Sequence, residues 1–415
     1  MEMKFGYRCI ILTEESTFRM VLKKGSVVVM DAFYRETWAE VDVEAIFQNV
    51  NHVRELIPGH KMLMAVVKAN AYGHGDKEVA EIALQAGADM LAVAFLDEAI
   101  ALRKKGIKES ILVLGAVPTL HIQTALEWDV TVTAYSKAWI EEAASGLGEN
   151  SQLHMHLKID TGMGRLGIRT KEELHETMNI IASHSGFVLD GVFTHFATAD
   201  ELNSSYFEDQ YTFFEEMVQI VKEHNFTPPV IHCANSAALL RRPKDIFNGV
   251  RLGISMYGLS PSEELKEVLP IPLKQAFSLH SRIVHVKKVK KGSHISYGAT
   301  YEAKEDEWIA TIPVGYADGW IRKLSNFEVL VDGVKVPIVG RICMDQLMIK
   351  LPKMYKLGTK VTFIGKQKGA EITIDEVAKH LETINYEIPC MIAARVPRVY
   401  TRDSQHIDVN NYILR

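Results

Sequence analysis

The stretch MLMAVVKANAYGHGDKEVAEIALQA (62–86) decides how the rest of the chain is read. Its first six residues, 62–67, are apolar and short, which suits a strand buried on both faces. Lys68 ends that run, a polar turn with two glycines follows, and residues 76–86 repeat apolar positions at helical spacing. A strand, a turn and a helix in that order form half of a βαβ unit. The lysine sits at the carboxyl end of the strand, where burial disfavours the ammonium form. An amine held there can condense with an aldehyde cofactor.

The pattern recurs along the chain. A helix is expected at 43–56, with Ile46, Val50 and Val53 on one face, followed by strands at 62–67, 90–95, 110–115, 130–135, 153–160, 189–196, 230–235 and 248–254. Helical patterns fill the gaps, as at 97–105, 171–183 and 206–224. Eight strands with right-handed crossovers favour a closed (β/α)8 barrel, of the TIM type, over a doubly wound open sheet. After Ser260-Pro261 the character changes: Val- and Ile-rich segments at 277–286, 308–313, 328–331, 335–339, 346–349 and 360–364 alternate between glycines and prolines, with one short helix at 374–381. This predicts a second, mostly β domain. The expected division is a leader at 1–29, a barrel at 30–268 and a β-rich domain at 269–415.

The leader lacks the apolar core of a secretory signal. Lys23-Lys24-Gly25-Ser26 reads as the translation of a purine-rich ribosome-binding site, so Met30 is the expected start and the leader an extension or a disordered segment. With 415 residues, 47% hydrophobic and 24% charged, the composition is that of an ordinary globular protein. A net charge of -5 argues against nucleic-acid binding, and no apolar run reaches the length of a membrane span. Cys9, Cys233, Cys343 and Cys390 show no CxxC spacing, which suits a reducing, cytoplasmic setting. His154 and His156 are expected on one strand face, but without a third ligand at motif spacing no metal site is expected.

Active sites of barrels lie at the carboxyl ends of the strands. Those ends carry Lys68, Lys158 with Asp160, His195, Asn235 with Ser236, and Arg251 followed by Gly253. Barrels often hold phosphate after strands seven and eight, where Ser236 and Gly253-Ile254 fall. An aldehyde-trapping lysine facing a phosphate cradle suggests pyridoxal 5′-phosphate. Arg165 lies in the glycine loop KIDTGMGRLGI, where its planar fork suits a carboxylate or phenolic oxygen.

The stretches AVVKANAYGHG, KIDTGMGRLGI, THFATAD, ANSAA, VRLGISMYG, ISYG, GYADG, GRICMDQ and INYEIP lie in order over both domains. From Phe33 to Ile407 the chain resembles bacterial alanine racemase, a pyridoxal-phosphate enzyme built from a barrel and a β domain. The resemblance implies a homodimer with an active site shared between subunits, acting on L- and D-alanine and supplying D-alanine for peptidoglycan. It implies that Lys68 carries the cofactor and is the base on one face of the substrate Cα, while Tyr297 of the partner subunit is the base on the other. Arg251 matches the arginine on the pyridine nitrogen, with His195 in its network; Tyr72, Ser236 and Tyr386, with the backbone of Gly253 and Ile254, match the phosphate ligands. Arg165 and the Met344 N–H match the substrate contacts, Lys158 the position that can carry a carbamate, and Asp200, Tyr316, Arg322, Arg341 and Ile384 the substrate corridor. A guanidinium does not take up a proton, so the pyridine ring is expected to stay unprotonated. Two other readings of a similar barrel are a cofactor carrier without turnover and an amino-acid decarboxylase. The β domain with Tyr297 and Met344 argues against the first, and Arg251 against the second.

Overall fold

The computed structural model describes residues 33–148, 150–243 and 246–414, and the backbone of a short antiparallel pair, Met20–Lys23 with Ser26–Val29. The expectation of a start at Met30 lies outside the described residues, and of the leader only this pair is described.

Eight parallel strands form the first architectural unit: Met62–Val66, Met90–Val93, Ile111–Val113, Val132–Ala134, Leu153–Lys158, Phe187–Phe193, Val230–Ala234 and Gly249–Leu252. They neighbour one another in chain order, and the eighth pairs with the first through Gly249↔Met62 to Leu252↔Ala65. The third and fourth meet at a Leu112↔Thr131 bridge, where Val113 N–H donates to Thr131 O at 2.9 Å. The sheet is therefore closed, as the repeating pattern predicts. Met64, Met90, Leu112 and Val230, from four different strands, pack into one buried cluster. Each strand stops one to three residues short of its expected end. At the rim the chain leaves the ladder, and this places Lys68 and His195 just beyond strands one and six.

The mostly β unit contains one large sheet. Its order runs His285–Val289, Glu307–Ile312, Leu347–Leu351, Val334–Val339, Glu328–Val331, Lys360–Gln367, Phe277–Arg282, Thr37–Asp42, Arg398–Arg402 and Gln405–Asn410. The expected helix is present at Ile374–Leu381, capped by a reciprocal Thr373–Glu376 pair.

The division of the chain differs from 30–268 and 269–415 in three places. Contacts group 45–72 with 76–275, and 73–75 with 276–415 and the segment before 45. Thr37–Asp42 is a strand of the β sheet, antiparallel to Phe277–Arg282 and parallel to Arg398–Arg402. Residues up to 275 stay with the barrel because the Asn49 amide clamps Lys274, accepting its N–H and donating to its O, both at 2.9 Å. Gly73 belongs with the β unit because Arg398 Nε donates to its carbonyl at 3.0 Å. A Cβ on Gly73, whose φ is +82°, would lie 2.1 Å from Pro389 O, so only glycine fits there.

Candidate active site

Between the first barrel strand and its helix the backbone reverses hand. Ala69, Asn70, Ala71 and Tyr72 have φ of 53°, 54°, 52° and 51°. The expected polar turn is thus a left-handed helical turn, a conformation that costs about 1–2 kcal/mol per non-glycine residue. Contacts on both sides hold it. Glu98 Oε1 accepts the Ala69 N–H at 2.6 Å, and Asn70 Oδ1 accepts the Asp76 N–H at 3.0 Å. Tyr72 stacks obliquely on Tyr257, with ring centroids 4.9 Å apart, and Tyr257 Oη donates to Val66 O at 2.9 Å.

The turn brings the Tyr72 hydroxyl to the cradle of strands seven and eight. A Cβ on Gly253 would come 3.1 Å from Tyr72 Oη and 3.7 Å from Ser236 Oγ, and the Gly253 N–H donates to Ser236 Oγ at 2.9 Å. Ser236, Gly253 and Ile254 are buried. Ser236 opens a short helix whose first turn is fixed by Asn235 Oδ1 accepting the Ala238 N–H. Two hydroxyls, one of them oriented by the Gly253 N–H so that its own proton is free to point outward, beside a glycine whose missing Cβ leaves room, suit the phosphate of a cofactor.

Arg251, 3% exposed, lies beneath this mouth. Its fork donates to Thr194 O at 2.9 Å, Cys233 O at 3.0 Å and His232 O at 3.1 Å. It also meets His232 Nδ1 at 2.8 Å and His195 Nδ1 at 3.3 Å. Burial lowers its pKa to about 10, so it remains a cation at neutral pH. Since Arg251 can only donate, His232 Nδ1 must accept. The His232 proton then sits on Nε2 and points at His156 Nδ1, 2.8 Å away. The Phe193 ring lies parallel to His232 at 4.7 Å and faces the Lys158 ammonium position at 4.7 Å.

Burial, then the Arg251 charge, brings His156 down to about 3, and the same causes hold His232 well below its ordinary value. His195 is lowered by burial and by Arg251, Lys158, Arg165 and Lys68, in that order. Lys158 falls well below the usual lysine range through burial, Arg251 and Arg165, with Asp160 opposing. Its buried Nζ has no hydrogen-bond partner among the described residues. Asp160 shapes the next loop: its Oδ1 accepts the Gly162 and Gly164 N–H groups at 3.2 and 2.9 Å, leading to the exposed Arg165.

These histidines set an acid limit. Their folded pKa values lie below the unfolded value of about 6.5. The unfolded chain therefore binds protons first as pH falls. Their contribution should be constant above about pH 6.5 and should be lost, by several kcal/mol, as pH falls from there toward 3, read from denaturant midpoints across a pH series in that window.

The barrel mouth gathers Lys68, Tyr72, Lys158, His195, Ser236, Arg251, Gly253 and Ile254. Asp200 stands in the loop after strand six, its carbonyl accepting from Ser262 Oγ at 2.8 Å. The β unit carries Tyr297, Tyr316, Arg322, Arg341, Met344, Ile384 and Tyr386. Within it the loops of Tyr316 and Met344 interlock: Tyr316 N–H donates to Cys343 O and Ala317 N–H to Met344 O, both at 3.0 Å. Tyr297, Tyr316, Met344 and Ile384 are exposed large side chains.

Sequence reading missed the inner pair His156–His232 and placed His154 and His156 on one face. His156 is buried, while His154 is exposed and meets Asp190 at 2.7 Å; the extra residue in this pairing lies on the neighbouring strand, between Leu189 and Gly191. The alternation HMHLK gives no local sign of that extra residue.

Comparisons with known proteins agree with this geometry. Residues 41–261 match the family described as alanine racemase, N-terminal domain, and residues 276–400 match alanine racemase, C-terminal domain. The chain is 56% identical to an alanine racemase of Anoxybacillus flavithermus over 92% of its own length and 99% of the relative's. It is also 56% identical to one of Geobacillus stearothermophilus, covering 93% and 99%. A crystal structure of alanine racemase from Bacillus anthracis, with bound L-Ala-P, superposes with a TM-score of 0.90 at 51% identity, covering 92% of this chain and 100% of that one. The fold and mouth are those of a barrel-type isomerase. The chain belongs to the alanine racemase family, and it is an enzyme, a racemase.

Proposed function

We propose that this racemase interconverts L- and D-alanine with pyridoxal 5′-phosphate at the barrel mouth. In this reading it works in the cytoplasm as a homodimer whose subunits share each site, and it supplies D-alanine for peptidoglycan. The observation that carries the reading is the cradle of Gly253 N–H, Ser236 and Tyr72 at the rim that also bears Lys68. When bound, pyridoxal phosphate supplies an aldehyde for the amino group and a ring that withdraws electrons from Cα.

The chain's residues do the rest. Lys68 would hold the cofactor through its amine and would exchange a proton on one face of Cα. Tyr297 of the partner subunit exchanges one on the opposite face. A single base tends to return the proton to the side it came from, so inversion needs two placed groups. Ser236, Tyr72, Tyr386, Gly253 and Ile254 hold the phosphate. Arg251, with His195 beside it, would hold the pyridine nitrogen. It offers only N–H donors there, so no proton is delivered to the ring. Arg165 and the Met344 N–H bind the substrate carboxylate. Asp200, Tyr316, Arg322, Arg341 and Ile384 line the approach. Burial and Arg251 push Lys158 toward the amine form, which is the form that would take up carbon dioxide, and a carbamate there would orient Arg165.

The test is polarimetry with L-alanine and added cofactor. Loss of rotation without carbon dioxide release supports the reading; release of carbon dioxide, or no loss of rotation, ends it. Gly253→Ala fills the cradle. It should weaken cofactor binding by about 1.5–3 kcal/mol, or roughly 10–100-fold in Kd, by fluorescence titration of the cofactor-free protein.

A further inference from the structure

Tyr297 is 71% exposed, so its ring owes its position to the hairpin that carries it. That hairpin pairs His294–Ile295 with Tyr301–Glu302 through His294↔Glu302 and Ile295↔Tyr301, and Tyr297–Ala299 form the turn at its tip. The tip is conformationally demanding: Ser296, Gly298 and Ala299 have φ of 70°, 73° and 50°. It is attached at both ends. At the tip, Ser296 Oγ donates to Arg341 O at 2.5 Å. At the base, Tyr301 Oη donates to Glu307 Oε2 at 2.6 Å.

The second attachment is built unlike an ordinary surface contact. Glu307 is 3% exposed, although it is the first residue of a strand. Its other oxygen, Oε1, accepts from Lys350 Nζ at 2.9 Å and from the Lys304 N–H at 3.3 Å. Lys350 comes from the neighbouring strand Leu347–Leu351, so the carboxylate ties two strands and the hairpin together. The Tyr301 ring packs on the Ile295, Ile309 and Val339 cluster. Burial, and then Glu307, raises the Tyr301 pKa, so this phenol keeps its proton and stays a donor. Burial pushes Glu307 up, but the bonds from Tyr301 and Lys350 outweigh it and leave the carboxyl below its ordinary range. A buried carboxylate holds its partners in narrow geometry because each unmade bond costs a desolvated charge.

We infer that the Tyr301–Glu307–Lys350 group is the anchor that sets where the Tyr297 ring stands, making Tyr301 and Glu307 positioning residues for proton transfer at Cα. The inference rests on Tyr297 being one of the two bases. Proton transfer is sensitive to displacements well under 1 Å, and a shift at the base of a two-residue ladder is carried to its tip. Neither residue touches substrate in this scheme; each acts through the hairpin.

Tyr301→Phe keeps the packed ring and removes only the hydroxyl; Glu307→Gln keeps the shape and removes the charge. Both variants should lose roughly 10-fold in kcat in both directions, with KM for alanine within about 2-fold of wild type. The Cα deuterium isotope effect should rise for the enantiomer whose proton Tyr297 takes and not for the other. In a Tyr297→Phe background, Tyr301→Phe should cost nothing further, because the group it positions is gone. General weakening of the fold would instead lower both rates, leave the isotope effects symmetric and persist in that background. The inference is overturned if Tyr301→Phe and Glu307→Gln both keep kcat within 2-fold of wild type, or if their losses persist without Tyr297. Tyr297→Phe at normal rates, or an inactive wild type, removes the two-base reading and the inference with it.

Discussion

Lys68→Ala should abolish measurable racemisation, a loss of roughly 10⁴-fold or more. In the proposed function two effects would fall together in this variant: the covalent hold on the cofactor and one of the two proton-exchanging groups, the latter alone commonly supplying 10²–10⁴-fold. The position is fixed by the barrel, since the strand before it pairs on both sides, through Ala65↔Leu252 and Val66↔Ala92. The turn after it is held by Glu98 and Asn70. A half-buried amine so placed has no equivalent among its neighbours, because Lys158 lies deeper, against the Phe193 ring. Cofactor should still bind through its phosphate, with lower affinity. The companion measurement is borohydride treatment of the wild-type protein with pyridoxal phosphate, followed by peptide mapping. A labelled peptide that lacks position 68 sinks the assignment.

Arg251→Met should be the most damaging substitution for stability among the mouth residues. The guanidinium satisfies three main-chain carbonyls, of Thr194, His232 and Cys233, and it fixes the tautomer of His232. Methionine fills much of the volume and satisfies none of them. His232 O keeps the Thr194 N–H at 3.3 Å, but the other two acceptors lose this donor at about 1–3 kcal/mol each, so a loss on the order of 2–6 kcal/mol is expected, read as a lower urea midpoint at unchanged slope. Activity should fall too, because His195 loses its neighbour and, in the proposed function, the pyridine nitrogen its partner. A midpoint within about 1 kcal/mol of wild type would mean that water replaces the guanidinium, and the packed network described above would be wrong.

What the sequence reveals here follows the range of the forces involved. The eight barrel strands are visible because each is a short apolar run buried on both faces, a local signal. The ionisable residues at their ends, from Lys68 to Arg251, are visible because charge at the end of such a run is rare unless it faces a mouth. Thr37–Asp42 is not visible as part of the β domain: its partners at Phe277–Arg282 and Arg398–Arg402 lie hundreds of positions away, and nothing local marks the pairing. The pairing of His156 with His232 depends on a strand 76 positions away, which sequence alternation does not encode. Glu307 reads as a surface residue beside Glu305 and Asp306 until the fold brings Tyr301 and Lys350 to it.

The reversed winding of Ala69–Tyr72 also bears on the order of assembly. An unfolded chain has no reason to visit that shape, and four residues in it carry a penalty of roughly 4–8 kcal/mol. Only partners brought in by the closed barrel, Glu98 on one side and the Tyr257 ring on the other, offset so large a sum. The socket around Lys68 should therefore be the last piece of its unit to set, so a half-folded chain holds no finished pocket for a reactive aldehyde.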